Sequence, residues 1–132
     1  MTDMIERLQR MLESGQDNLL LRFTLGKGRF EQGRLDEAAI HLHAALAFDA
    51  KFSNAWKVLG RVRLEQGDAQ GARQAWMQGS DAARARGDVQ VGKEIGVFLK
   101  RLDKQAASSP RSSDPSSSSP SSTRSSTSEQ TD

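Results

Sequence analysis

Sliding this chain by 34 residues lays LGKGRFEQG (Leu25–Gly33) over LGRVRLEQG (Leu59–Gly67). Leu25/Leu59, Gly26/Gly60, Arg29/Arg63, Glu31/Glu65, Gln32/Gln66, Gly33/Gly67 and Ala38/Ala72 are identical across that offset, and Lys27/Arg61 and Phe30/Leu64 are similar. A period of this length marks a supersecondary unit that cannot bury its apolar face alone and must stack on its neighbours.

Each unit reads as two helices parted by glycine. Leu19–Gln32 carries apolar residues at helical spacing, with Asp17 or Asn18 placed to accept from the free amides at its start. Gly33 supplies the left-handed residue that ends a helix at low cost. The second helix, about Leu35–Phe48, has Asp36 and Glu37 in its first turn, where carboxylates meet the positive end of the helix dipole. Its Ala38, Leu42, Ala45 and Leu46 form one apolar stripe. The second unit repeats the plan: Ser53 caps, Ala55, Trp56 and Leu59 face inward, Gly67 terminates, and Asp68 caps a return helix to about Ala83.

Two flanks complete the body. Thr2–Ser14 is amphipathic through Ile5, Leu8, Met11 and Leu12. Residues 88–104 place Val91, Ile95, Phe98, Leu99 and Leu102 on one face, with Asp88 as cap. Gly92 and Gly96 each cost that helix roughly 1 kcal/mol against alanine, an expense that a close approach to a neighbour would offset. The expectation is therefore an all-α body over residues 1–105: a flanking helix 2–14, repeats 19–52 and 53–86, and a capping helix 88–104. Residues 106–132 hold thirteen serines and all three prolines with almost nothing apolar. That composition predicts a disordered tail.

Composition closes off several chemistries. Without cysteine there is no disulfide and no thiolate site. The balance of 19 basic and 17 acidic residues is too even for a dedicated nucleic-acid domain. The longest apolar run is five residues (Ala44–Phe48), so no spanning helix or signal core is expected, and the reading is a cytoplasmic protein away from membranes. His41 and His43, two apart on one helix, point about 200° away from each other and cannot share a metal ion. Gly26-Lys27-Gly28 lies inside a helix and lacks phosphate-loop spacing. No acid–base or nucleophile arrangement suggests an enzyme, and no cofactor is implied.

The repeat resembles the tetratricopeptide repeat (TPR). Trp56, Leu59, Gly60, Gly67, Ala72 and Trp76 match its pattern in one unit, and Leu25, Gly26, Gly33, Ala38, Leu42 and Ala45 in the other. Arg22 stands where a large aromatic is usual, Gly79 where alanine is usual, Ala50 and Arg84 where proline is usual, and Lys93-Glu94 falls on the Leu-Gly place of a third unit. The resemblance implies about six helices in antiparallel hairpins, stacked as a short right-handed superhelix. Small residues such as Gly26, Ala38, Ala45, Gly60 and Ala72 would let helices approach, with Trp56 and Trp76 filling the core.

It also implies a non-enzymatic protein-binding scaffold or adaptor, with a concave groove lined by the first helix of each pair. Carried over, that stripe is Leu20, Phe23, Lys27 and Phe30, then Asn54, Lys57, Arg61 and Glu65. Lys27, Lys57 and Arg61 beside Phe23 and Phe30 suit a peptide with an acidic group and a hydrophobic anchor. Two other readings stand beside it. One is a structural homo-oligomer joined through an end face with Val89, Val97 and Phe98. The other is weak nucleic-acid binding through Arg61, Arg63, Arg84 and Arg86.

Overall fold

The computed structural model describes residues 2–108. They form six helices and, among the described residues, no strand: α1 (Thr2–Glu13), α2 (Leu19–Glu31), α3 (Leu35–Phe48), α4 (Ser53–Glu65), α5 (Ala69–Arg86) and α6 (Val89–Ser108). The described backbone divides into two units, 2–99 and 100–108. The helix expected to stop at 104 continues through Ala106 and Ala107, since alanine is the strongest helix former. From residue 109 the expected tail lies outside the described residues. No helix among the described residues is long and apolar enough to cross a membrane.

The two internal hairpins turn identically. Gly33 and Gly67 take φ of 77° and 84°, a conformation costly for any residue with a side chain. Gly33 N–H donates to Phe30 O at 2.9 Å and Arg34 N–H to Arg29 O at 2.9 Å; Gly67 N–H donates to Leu64 O at 3.0 Å and Asp68 N–H to Arg63 O at 2.9 Å. Each turn thereby satisfies carbonyls that the helix end leaves open.

Capping follows the sequence at two starts and departs at a third. Asn18 accepts from Leu21 N–H at 2.9 Å, and Asp68 from Gly71 N–H at 2.8 Å. Ser53 is not a cap: Phe52 holds that place, and Ser53 lies inside α4 with 1% of its surface exposed. Its hydroxyl donates instead to the Asp88 carboxylate at 2.7 Å, tying α4 to the turn before α6.

The core is built where hairpins face one another. Ala38, Leu42, Ala45 and Leu46 of α3 pack with Ala55, Val58, Leu59 and Val62 of α4 and Ala75 of α5. Ile5 of α1 joins Leu21 and Leu25 of α2, with Leu8, Met11 and Leu12 around them. A Cβ on Gly26 would sit 2.7 Å from Leu42 Cγ, and one on Gly60 would overlap the Trp76 indole. Trp76 is core, 1% exposed, its indole N–H bonded to Lys57 O at 3.0 Å. Trp56 is only half-buried, and its indole N–H reaches the carbonyl of Ala50 at 2.8 Å.

The third unit breaks the strict 34-residue period. α5 has 18 residues where α3 has 14, and α6 starts 36 residues after α4 rather than 34. Counted from the helix starts, Ile95 and Gly96, not Lys93 and Glu94, stand in the place of Leu59 and Gly60. Ile95 is fully buried, as that place requires. The close approach expected of Gly92 and Gly96 is absent: the nearest atom to a Cβ on Gly92 is Ala83 Cβ at 3.7 Å, and Gly96 has none within 4 Å. Gly79 supplies it from the facing side, where a Cβ would lie 2.7 Å from Trp56 Cβ and 2.8 Å from Ile95 Cδ1. The missing alanine at position 79 is thus what admits α6.

Candidate interaction groove

α2 and α4 run side by side as the first helices of successive hairpins, so residues three and four apart on each point into the space between them. Phe23, Lys27, Phe30 and Glu31 of α2 and Asn54, Lys57, Val58 and Arg61 of α4 line a cleft of about 370 Å³. Six of the eight residues expected on the groove stripe are brought together there. Leu20, in the first turn of α2 and 68% exposed, and Glu65, the last residue of α4, lie outside it. Glu31 and Val58 join the lining unforeseen.

The aromatic wall is fixed rather than loose. Phe23 meets Phe52 edge-on, with ring centroids 5.0 Å apart. Phe98 stacks on the buried Trp76 at 5.2 Å. The Arg61 guanidinium carbon lies 5.0 Å from the Phe30 ring centre and 5.8 Å from that of Phe98. Guanidinium planes are attracted to ring faces, so two rings hold this cation without consuming its hydrogen-bond donors.

The three cations expected in the groove differ in what they have free. The Lys57 ammonium bonds Glu94 Oε1 at 2.7 Å, and that bond, with one from Gln90, holds the Glu94 carboxyl below its ordinary range. Lys27 and Arg61 are both exposed. The groove therefore carries Lys27, Arg61 and the paired Lys57 beside an apolar wall, with the Glu31 carboxylate also in its lining.

Outside the cleft, the arginines shared by both repeats do work that sequence comparison recorded only as identity. Arg29 donates to Gln32 Oε1 at 3.0 Å and reaches back to Gln9 Oε1 of α1 at 3.5 Å. Arg63 donates to Gln66 Oε1 at 3.0 Å and reaches back to His43 Nε2 of α3 at 2.9 Å. Gln9 and His43 are themselves 34 residues apart, so each Arg–Gln pair latches its hairpin to the one before. Arg29 is buried, paired with Glu37 at 3.4 Å, and its Nε has no hydrogen-bond partner.

Arg22, in the place of the usual aromatic, forks onto Asp17 through two bonds of 2.9 and 3.1 Å and meets His41 Nδ1 at 3.0 Å. That fork keeps the Asp17 carboxyl below its ordinary range. Both histidines thus face arginines, on opposite sides of α3. Burial, reinforced by Arg22 and Arg29, lowers the pKa of His41, and burial with Arg63 lowers that of His43. Among the described residues no cluster of three or more His, Asp or Glu is arranged for a metal.

The residues of the two other readings are dispersed or occupied. Val89 and Val97 are exposed, but Phe98 belongs to the Trp76 stack. Arg63 is held by His43 and Gln66, Arg84 pairs with Asp81 at 3.1 Å, and Arg86 forks onto Asp49 at 2.8 and 3.1 Å.

No protein-family model matches the chain. The TPR repeat-containing protein PA0015 of Pseudomonas aeruginosa is 50% identical over 101 residues, covering 76% of this chain and 96% of that protein. The solution structure of protein BPP2914 from Bordetella parapertussis is 55% identical with a TM-score of 0.71, over 78% of this chain and 90% of that one. The Sgt2 TPR domain from Aspergillus fumigatus superposes with a TM-score of 0.66 at 24% identity, over 86% and 76% of the two chains, a likeness of fold alone.

Proposed function

Because the chain belongs to the tetratricopeptide repeat family, whose fold generally mediates protein–protein interaction and whose members are generally non-enzymatic, we propose that its groove docks an acidic peptide segment carrying an apolar anchor. The observation that carries this reading is Arg61, an exposed guanidinium held over the Phe30 and Phe98 rings at the cleft. A peptide carboxylate would take its two parallel N–H bonds, the geometry in which arginine surpasses lysine. Lys27 would meet a second acidic group. Phe23, Phe30 and Val58 form the wall for the anchor. Lys57, bound to Glu94, sets the groove's floor rather than reaching for the ligand. The role is that of a scaffold or adaptor in the cytoplasm.

The test is a titration of isotope-labelled protein with two synthetic peptides, one joining Leu and Phe to Asp and Glu and the other the same peptide with Lys for every acid. The acidic peptide should shift amide signals of α2 and α4, and Arg61→Glu with Lys27→Glu should abolish those shifts with the helical spectrum intact. Equal response to both peptides, or binding that survives the double reversal, refutes the proposal.

A further inference from the structure

The cleft is built in levels. Lys27 is the ninth residue of α2 and Arg61 the ninth of α4, while Phe23 and Lys57 are the fifth residue of each. Four residues of helix rise about 6 Å. A cationic level therefore stands about one turn from a level where a ring faces an ammonium, with Val58 beside it in the same lining. An uncompensated charge at that second level would spoil the wall for an apolar anchor. Glu94 compensates it. Its carboxylate comes from α6, which contributes nothing to the cleft lining, and accepts from Lys57 Nζ at 2.7 Å and from Gln90 Nε2 at 3.3 Å. Both partners are held in place. The Trp76 indole donates to the Lys57 carbonyl at 3.0 Å, and Gln90 lies one turn before Glu94 on the same helix. On the other side of the cationic level Glu31, four residues past Lys27, stands in the lining. Carboxylates thus bracket Lys27 and Arg61 from both directions.

We propose that Glu94 is a specificity-determining residue of the groove: by occupying Lys57 it keeps the level of Phe23 and Val58 for an apolar side chain and confines the ligand's acidic groups to Lys27 and Arg61. This rests on the acidic-peptide docking proposed above and adds an order to the ligand's groups. In an extended segment, residues two apart lie on one side and about 6.6 Å from each other, close to the spacing of the two levels. The ligand therefore carries an acid and its apolar anchor two places apart. A second acid in place of the anchor would meet an ammonium whose charge is already compensated. It would also stand against the Glu94 carboxylate, and like charges set together across an interface select against the wrong partner. To take Lys57 it must displace a bond made within the chain, whose partners are ordered before the ligand arrives. Without Glu94 the same groove is cationic at both levels and favours an acid at each.

Titration of the isotope-labelled full chain with three glycine- and serine-flanked peptides tests this. One holds Asp and Leu two places apart, one the same pair in reverse order, and one Asp at both places. The parent chain should bind the better mixed peptide about threefold more tightly than the diacid, the scale of a partly exposed ion pair. Glu94→Gln keeps the shape of a side chain that is 40% exposed, so the helical spectrum should not change. It should raise affinity for the diacid about threefold and level or invert the preference. In a Lys57→Gln background the same substitution should leave the preference where it was, because its effect runs through the Lys57 charge. A merely structural Glu94 would move all three affinities together in both backgrounds. If Glu94→Gln leaves the preference unchanged while the mixed peptides still shift α2 and α4 signals, this inference fails and the docking of an acidic peptide stands. If no peptide shifts those signals in either the parent or the variant, both are overturned.

Discussion

Alanine placed at Gly60 and at Gly96 should give opposite signs of stability change, although both are mid-helix glycines at corresponding places. In either helix the substitution itself gains about 1 kcal/mol, because glycine surrenders more backbone freedom than alanine. At Gly96 no atom lies within 4 Å of the added carbon, so that gain is realised nearly whole. At Gly60 the carbon overlaps the Trp76 indole, whose N–H is bonded to Lys57 O and whose face stacks on Phe98. Moving a buried indole in a packed interface costs about 1–3 kcal/mol. Losing its hydrogen bond leaves a buried donor unsatisfied for about another 1–3 kcal/mol. Net of the propensity gain, Gly60→Ala should destabilise by about 3 kcal/mol, or some 12–24 °C in Tm for a domain of this size. Urea unfolding followed by circular dichroism measures both variants against the parent chain. If Gly60→Ala is neutral, or Gly96→Ala destabilises as Gly60→Ala does, close helix approach does not decide the sign and the argument fails.

Ser53→Ala should cost about 2 kcal/mol by the same measurement, since it strips a buried charge-assisted bond from Asp88 rather than an exposed cap; a loss below about 0.5 kcal/mol would show that the bond contributes little. Both histidines have pKa values below the ordinary 6.5 in the folded state, so the unfolded chain binds protons first on acidification. Their contribution is therefore complete above about pH 6.5 and is lost as the pH falls through the lowered values. Tm should fall between about pH 7 and pH 5, and His41→Gln with His43→Gln should flatten that slope; a Tm that rises on acidification contradicts the reading.

What could be read from the sequence was local in origin. Gly33 and Gly67 were legible because only a left-handed turn needs glycine at both places, and helix starts at Asn18 and Asp68 because a cap bonds within three residues of itself. What escaped was non-local. Ser53 sits where caps sit, and only the fold shows Asp88, 35 residues away, as its partner. The fixed period misplaced the third unit by two residues, because the longer α5 changes the register without changing composition. Six groove residues converge because helical spacing determines a face. The pairing of Lys57 is not legible, since its partner Glu94 lies 37 residues away on a helix outside the 34-residue period. The conserved spacing of Arg29–Gln32 and Arg63–Gln66 was visible, but their back-reaching bonds depend on Gln9 and His43, which share no chemistry that a comparison would match.

The two arginine latches both point backward along the chain, and this gives the array a grain. By the register of Gly96 on Gly60, α6 offers Leu99 where α4 offers Arg63, and the next place in the series after Gln9 and His43 is the exposed Met77. Lifting α1 would therefore break the bond between Arg29 and Gln9, while lifting α6 breaks neither latch. Yet α6 supplies Phe98 and Glu94, which steady Arg61 and Lys57.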